Sequence, residues 1–139
     1  MYFVDTNVFL EWFLGRKNSK ECELFFEKII SGKIIAVCSR FSIYSILIHI
    51  TKRKNFTQAK KFLEFINSNE NLIVVNTGVS DDLRILGLVE KTGLDFDDAL
   101  QYYAATESNC DAIITFDADF KNKAKILTLT PSQAPLEMV

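Results

Sequence analysis

Four aspartates carry the chemistry open to this sequence: Asp5, Asp98, Asp117 and Asp119. Asp5 closes a short apolar run, Tyr2-Phe3-Val4. Asp98 lies in a stretch beginning at Asp95, where Phe96, Ala99, Leu100, Tyr103 and Ala104 recur at helical spacing, so it falls in the first turn of a helix. Asp95 stands at the N-cap of that helix, with Asp98 three residues on in the capping-box position. Asp117 and Asp119 follow Ala112-Ile113-Ile114-Thr115, an apolar run that reads as a buried strand. Carboxylates held together repel and coexist only with a proton or a cation. A set of hard oxygen donors suits Mg²⁺ or Mn²⁺. Each acid alone has a plainer use: Asp5 as a helix cap, Asp98 at the positive end of its helix, Asp117 and Asp119 in an Asx turn. Their joint placement, at two strand ends and one helix start, points to a metal site.

The elements that must position these acids alternate along the chain. After Asp5, Val8, Phe9, Trp12 and Phe13 repeat at helical spacing up to Gly15. A second helix, capped at Asn18 or Ser19, carries Cys22, Phe25, Phe26, Ile29 and Ile30 and stops at Gly32. Ile34–Cys38 is a strand. A helix opens at Ser39 or Ser42 and runs to about Lys54, and another runs from Gln58 to about Asn67 after a capped turn. Leu72–Val75 is a strand, Val79–Lys91 a helix closed by Gly93, and Ile126–Leu129 the last strand. Strands alternating with helices predict an α/β fold with a parallel sheet, in which ligands sit beyond the carboxyl ends of the strands. The sequence shows no internal repeat or linker. One domain over residues 1–130 is expected, with an irregular tail over 131–139.

Val4-Asp5-Thr6-Asn7-Val8, Asp97-Asp98-Ala99-Leu100 and Ile114-Thr115-Phe116-Asp117-Ala118-Asp119-Phe120 together resemble the PIN-domain family, which includes toxin ribonucleases of toxin–antitoxin pairs. The resemblance covers roughly residues 1–130. It implies a three-layer α/β/α domain with a central parallel sheet, and a metal-dependent endonuclease acting on single-stranded RNA. Asp5, Asp98 and Asp117 are then the catalytic metal ligands, and Asp119 a further ligand or an orienter of water. Thr6, Asn7, Ser45, Asp97 and Thr115 support them, with Asn7 and Thr115 expected to hydrogen-bond the carboxylates. An antitoxin protein and a second copy in a homodimer are the implied partners. One departure stands out: the family's usual Glu in the helix after the second strand falls at Ser45, and no Glu occurs between Ser39 and Glu64. That loss removes one ligand and favours, as the alternative, a module that binds RNA or protein without cutting.

Other signals are weaker. Lys121, Lys123 and Lys125 follow the acid pair where RNA phosphates would approach, and Arg16 with Lys17 forms a further candidate rim. Tyr102, one turn beyond Asp98, is the best placed aromatic to stack on a base. His49, the one histidine, reads as a surface group near a helix C-terminus. A response-regulator receiver or an aspartyl phosphatase would also use an acid pocket. The strands ending at Cys38 and Val75 carry no acid for a receiver, and Asn7 stands where such a phosphatase needs a second Asp. The net charge of −2 gives no global basic field, although a local patch suffices for phosphate contacts. Three widely spaced cysteines without a CxxC pair suggest a reduced, cytoplasmic setting. No run has the length of a membrane span or the layout of a signal peptide.

Overall fold

The computed structural model describes residues 1–135, and the side chain of each of these except Asp119. Five strands form one sheet: β1 (Tyr2–Val4), β2 (Ala36–Ser39), β3 (Leu72–Val75), β4 (Ala112–Ile114) and β5 (Leu127–Leu129). Their order is β3-β2-β1-β4-β5, and every pair is parallel. The helices are α1 (Thr6–Phe13), α2 (Ser19–Ile30), α3 (Arg40–Lys52), α4 (Phe56–Ser68), α5 (Val79–Thr92), α6 (Phe96–Glu107) and α7 (Ala118–Lys123).

The edge strands leave Ile73 and Leu127 exposed, whereas the central strands β1, β2 and β4 are apolar but for Ser39 and buried on both faces, as a parallel sheet requires. Their alternation splits the core in two. Tyr2, Val4, Ala36, Cys38, Ala112 and Ile114 pack with the buried faces of α1 to α4. Phe3, Val37 and Ile113 point the other way, against Ala104 and Ala105 of α6 and Phe120 of α7. There α5 covers α6 through Ile85, Leu100 and Tyr103. The result is the expected three-layer α/β/α sandwich. The larger half is filled by aromatic rings: Trp12 stacks on Phe26 at 4.4 Å, Phe65 meets both edge to face, Phe9 and Phe13 tilt against Phe26 and Trp12 respectively, and Phe62 packs edge to face on Phe9 and Phe13.

Local signals explain most boundaries. Ser39 caps α3 by accepting from the Ser42 N–H at 3.1 Å, and Asn55 caps α4 by accepting from Gln58 N–H. Gly93 ends α5 in the left-handed region, at φ 75°, where glycine is favoured. No helix among the described residues is long and apolar enough to cross a membrane.

Several expectations need correction. The second strand starts two residues later than its apolar run, at Ala36, because the Ile34 N–H is still tied to the end of α2, donating to the Lys28 carbonyl. The capping box of Asp95 and Asp98 does not form: Asp95 is the N-cap of α6 by backbone geometry, but its side chain makes no cap hydrogen bond. Asp117 and Asp119 do not close a bare turn; α7 begins at Ala118. The tail is not irregular from its start. Pro131–Gln133 forms a 3₁₀ turn against α2, with Pro131 and Ala134 buried. Ser132 N–H donates to Glu21 at 2.8 Å, and the Tyr2 hydroxyl donates to the Pro135 carbonyl at 3.1 Å. Residues 136–139 of the expected tail lie outside the described residues.

Candidate metal centre

The sheet order places β1 between β2 on one side and β4 on the other, and the chain reverses its winding there. This is the topological switch point, where open parallel sheets leave a crevice beyond their carboxyl ends. Asp5 follows β1 and Asp117 follows β4 by three residues, so both acids stand at that crevice. The two strands run in register, Val4 opposite Ile114, and the Asp5 N–H donates to the Ile114 carbonyl at 3.0 Å.

Asp5 sits at the N-cap of α1, yet its carboxylate makes no cap hydrogen bond. It is 4% exposed and turns inward, accepting from Thr115 Oγ1 at 2.6 Å. The plain capping role is therefore not the one it performs. Thr115 ties the site together. Its hydroxyl donates to Asp5 and accepts from the Asp117 N–H at 3.0 Å and from Asn7 Nδ2 at 3.4 Å. Asn7 also accepts from the Phe116 N–H. Asn7 thus reaches the acids through Thr115 and the backbone, not by bonding a carboxylate as expected. Thr6 points across to α3, donating to Ser42 Oγ at 3.0 Å.

The third acid comes from α6. Burial pushes the Asp98 carboxyl up to about 7, and the charges of Asp97, Asp5, Asp117 and Asp95 add to the rise. Burial also raises Asp5, against hydrogen bonds from Thr115, the Thr6 N–H and Gln101, with the Asp117 charge adding to the rise. The charges of Asp5 and Asp117 thus reach Asp98, and that of Asp117 reaches Asp5. The tightest grouping is a different one: Asp95, Asp97 and Asp98 bring one oxygen each within 4.8 Å of one another. Asp5 and Asp117 are not part of that grouping, so a cation held by Asp5, Asp98 and Asp117 would keep part of its water shell. The side chain of Asp119 lies outside the described residues.

Gln101 is the residue that sequence reasoning missed. It is 2% exposed, one turn beyond Asp98, and its amide hydrogen-bonds Asp5 while Oε1 has no partner. A buried acceptor with nothing to accept from calls for a donor, and an ordered water is the smallest that serves. Neither Asp5 nor Asp98 has an ion-pair partner among the described residues. All-oxygen donors, a half-buried carboxyl raised to about 7 by burial and then by other acids, and an orphaned amide oxygen together fit a hydrated divalent cation. The signal available in the sequence was a lone polar residue in the inward face of α6, between Leu100 and Ala104.

The remaining expected residues scatter. Asp97 is exposed on the first turn of α6. Ser45 is half-buried on α3 and makes no hydrogen bond to an acid. Lys121 lines a hollow of about 230 Å³ beside the site, with Thr115, Phe116, Asp117 and Gln133. Lys123 reaches back to the Gly93 carbonyl before α6. Tyr102 is half-buried against the α5–α6 pair and lines a hollow with Arg84 and Leu88, facing that helix pair. Arg16 contacts His49 at 3.0 Å at the far end of α1. A hollow of about 650 Å³ lies between α3, α4 and the β3 edge, and none of Asp5, Asp98 and Asp117 lines it.

Fold and site define an α/β protein with a carboxylate cluster at the switch point of a parallel sheet. The chain belongs to the PIN-domain family, whose model matches residues 2–126. Solved structures agree in fold. VapC20 of Mycobacterium tuberculosis, described as a sarcin–ricin-loop-cleaving toxin, aligns with a TM-score of 0.73 at 14% identity over 87% of this chain and 93% of its own. A toxin–antitoxin complex from Klebsiella pneumoniae gives 0.71 at 19% identity over 94% and 98%. VapBC2 of Rickettsia felis, bound to a promoter DNA fragment, gives 0.70 at 16% identity over 93% and 97%. No curated protein matches the sequence.

Proposed function

We propose that the chain is a metal-dependent endoribonuclease that cuts single-stranded RNA as the toxin of a toxin–antitoxin pair. The observation that carries this reading is the Thr115 hydroxyl, which bonds the Asp5 carboxylate and the Asp117 backbone N–H beyond the ends of two adjacent strands, with both acids within electrostatic reach of Asp98. In this reading Asp5, Asp98 and Asp117 hold Mg²⁺ or Mn²⁺, with Asp119 as a further ligand. The bound cation supplies positive charge to the phosphodiester and a water acidic enough to attack it. Thr115 and Gln101 fix the Asp5 carboxylate from opposite partners, so that it meets the cation without rearranging. Thr6, through Ser42, holds the start of α1 against α3. Lys121 stands where a phosphate would enter beside Asp117. With its carboxyl raised to about 7, Asp98 is protonated in roughly half of the metal-free molecules near neutrality, and cation binding would favour the carboxylate.

The test is cleavage of a labelled single-stranded RNA with Mn²⁺, stopped by EDTA. Asp98→Asn and Asp117→Asn each abolish cleavage while the protein stays folded, and undiminished cutting by Asp117→Asn overturns the assignment. The absence of a Glu at Ser45 favours a second reading, a module that binds without cutting; Mn²⁺-dependent cleavage removes it.

The partner in this reading is an antitoxin, supported by the toxin–antitoxin complexes among the structures of like fold. An acidic crevice accepts a guanidinium readily, so an arginine of the antitoxin occupies it. Complex formation then protects Asp98 and Asp117 from carbodiimide labelling; equal labelling of free and bound protein counts against it. A homodimer in a cytoplasmic setting completes the proposal, and sedimentation tests the dimer.

A further inference from the structure

The cations at the far end of α1 and α3 form a group that the acid site does not use. Arg16, in the turn after α1, and Arg53, at the end of α3, both aim a guanidinium N–H at Nε2 of His49. One imidazole nitrogen offers one lone pair, so it cannot satisfy both donors. Neither guanidinium has an ion-pair partner among the described residues. Lys52 adds a third positive charge, and burial with Arg53, Arg16 and Lys52 holds His49 below its ordinary range. Helix C-termini attract cations, but that does not require two arginines from different elements to converge on one ring. Arg16 is also half-buried, so it is held in place and not swept through solvent. Donors in excess of acceptors, with like charges crowded together, call for an anion.

Position identifies the anion. His49 and Ser42 lie on one stripe of α3, and Ser42 bonds Thr6, the neighbour of Asp5. Seven residues of helix place His49 about 10 Å beyond that contact. We propose that Arg16, His49 and Arg53 form a second phosphate site, which grips a non-scissile phosphate of the single RNA strand cut at the acid cluster. The paired guanidiniums supply the bidentate donors that phosphate favours. The inference rests on the RNA reading above and adds a fixed register between the gripped phosphate and the cut.

His49 is the one histidine in the chain, so its imidazole resonance reports on the site alone. The experiment adds an uncleavable 2′-O-methyl oligoribonucleotide to the full protein in EDTA. Binding is followed by fluorescence anisotropy, and the His49 titration by NMR. The midpoint of that titration rises in the wild type and stays put in Arg16→Gln/Arg53→Gln, which also binds with a salt slope shallower by about 0.7 for the lost phosphate. Arg16→Lys/Arg53→Lys keeps the charge and loses the forked geometry, so its affinity falls as well. An oligomer that binds without moving the resonance, or an unchanged salt slope in the double variant, overturns the proposal. So does an acidic peptide that moves the resonance as far as RNA does, since charge alone would then suffice. A shifted resonance in a wild type that never cuts RNA with Mn²⁺ sinks the nuclease reading and leaves the phosphate site standing.

Discussion

At the scale of single residues, the site behaves as a set of acids waiting for positive charge. Asp98 is held up at about 7, first by burial and then by Asp97, Asp5, Asp117 and Asp95. An unfolded Asp titrates near 4, so between about pH 4 and 7 the folded chain binds a proton that the unfolded chain does not. Stability of the metal-free protein therefore falls as pH rises through that window, and levels off above it. Mn²⁺ needs the carboxylate, so the rise in melting temperature on adding Mn²⁺ grows from about pH 5.5 to about pH 8. Thermal melts in EDTA and in Mn²⁺ across that range check both signs, and Asp98→Asn flattens the metal-free slope. Thr115→Val leaves the buried Asp5 short of its 2.6 Å donor; a loss of about 1–3 kcal/mol is expected in denaturant melts, with weaker Mn²⁺ binding. Asp5, Asp98, Asp117 and Thr115 were legible because each stands at a strand end or helix start. Gln101 and Ser42 were not, because their partners are brought to them only by packing: Ser42 meets Thr6 across 36 residues of sequence.

At the scale of elements, α3 carries Ser45 at the place where the family resemblance leads one to expect a Glu. Ser42, Ser45 and His49 share one stripe, and both ends of it touch the α1 side of the molecule, at Thr6 and Arg16. Ser45 lies between those contacts and faces the same way. Ser45→Glu would add a negative charge toward a cluster that already repels itself. The variant is expected to melt at a lower temperature than wild type in EDTA, yet to gain more from Mn²⁺. An equal Mn²⁺ shift in both proteins would mean that Ser45 does not face the acids. The longer helices were legible from their apolar spacing and capping residues. The six-residue α7 was not, since fewer than two turns give no periodicity to read. It nevertheless fixes Phe120 in the core and carries Lys121 past Asp117.

At the scale of the whole molecule, the alternation of strands and helices was enough for a parallel three-layer fold. Strand order was not legible, because nothing local says that the first strand will lie in the middle. The tail was misjudged for a related reason: two prolines suggest irregularity, while the contacts of Pro131, Ser132 and Pro135 with α2 and β1 are tertiary. Removing residues 131–139 is expected to destabilise the domain by about 2 kcal/mol, counting two lost hydrogen bonds at about 1 kcal/mol each. A truncated protein with an unchanged melting temperature would show that the tail merely rests on the surface.

The central place of β1 also bears on how the protein comes into being. Asp5 is synthesised 110 residues before Thr115, which orients it. Domains fold as units during synthesis, at about 5–20 residues per second, so for several seconds the nascent chain holds an incomplete site. Until β4 inserts beside β1, the Asp5 carboxylate lacks the hydroxyl that orients it, and the acid cluster stays unassembled.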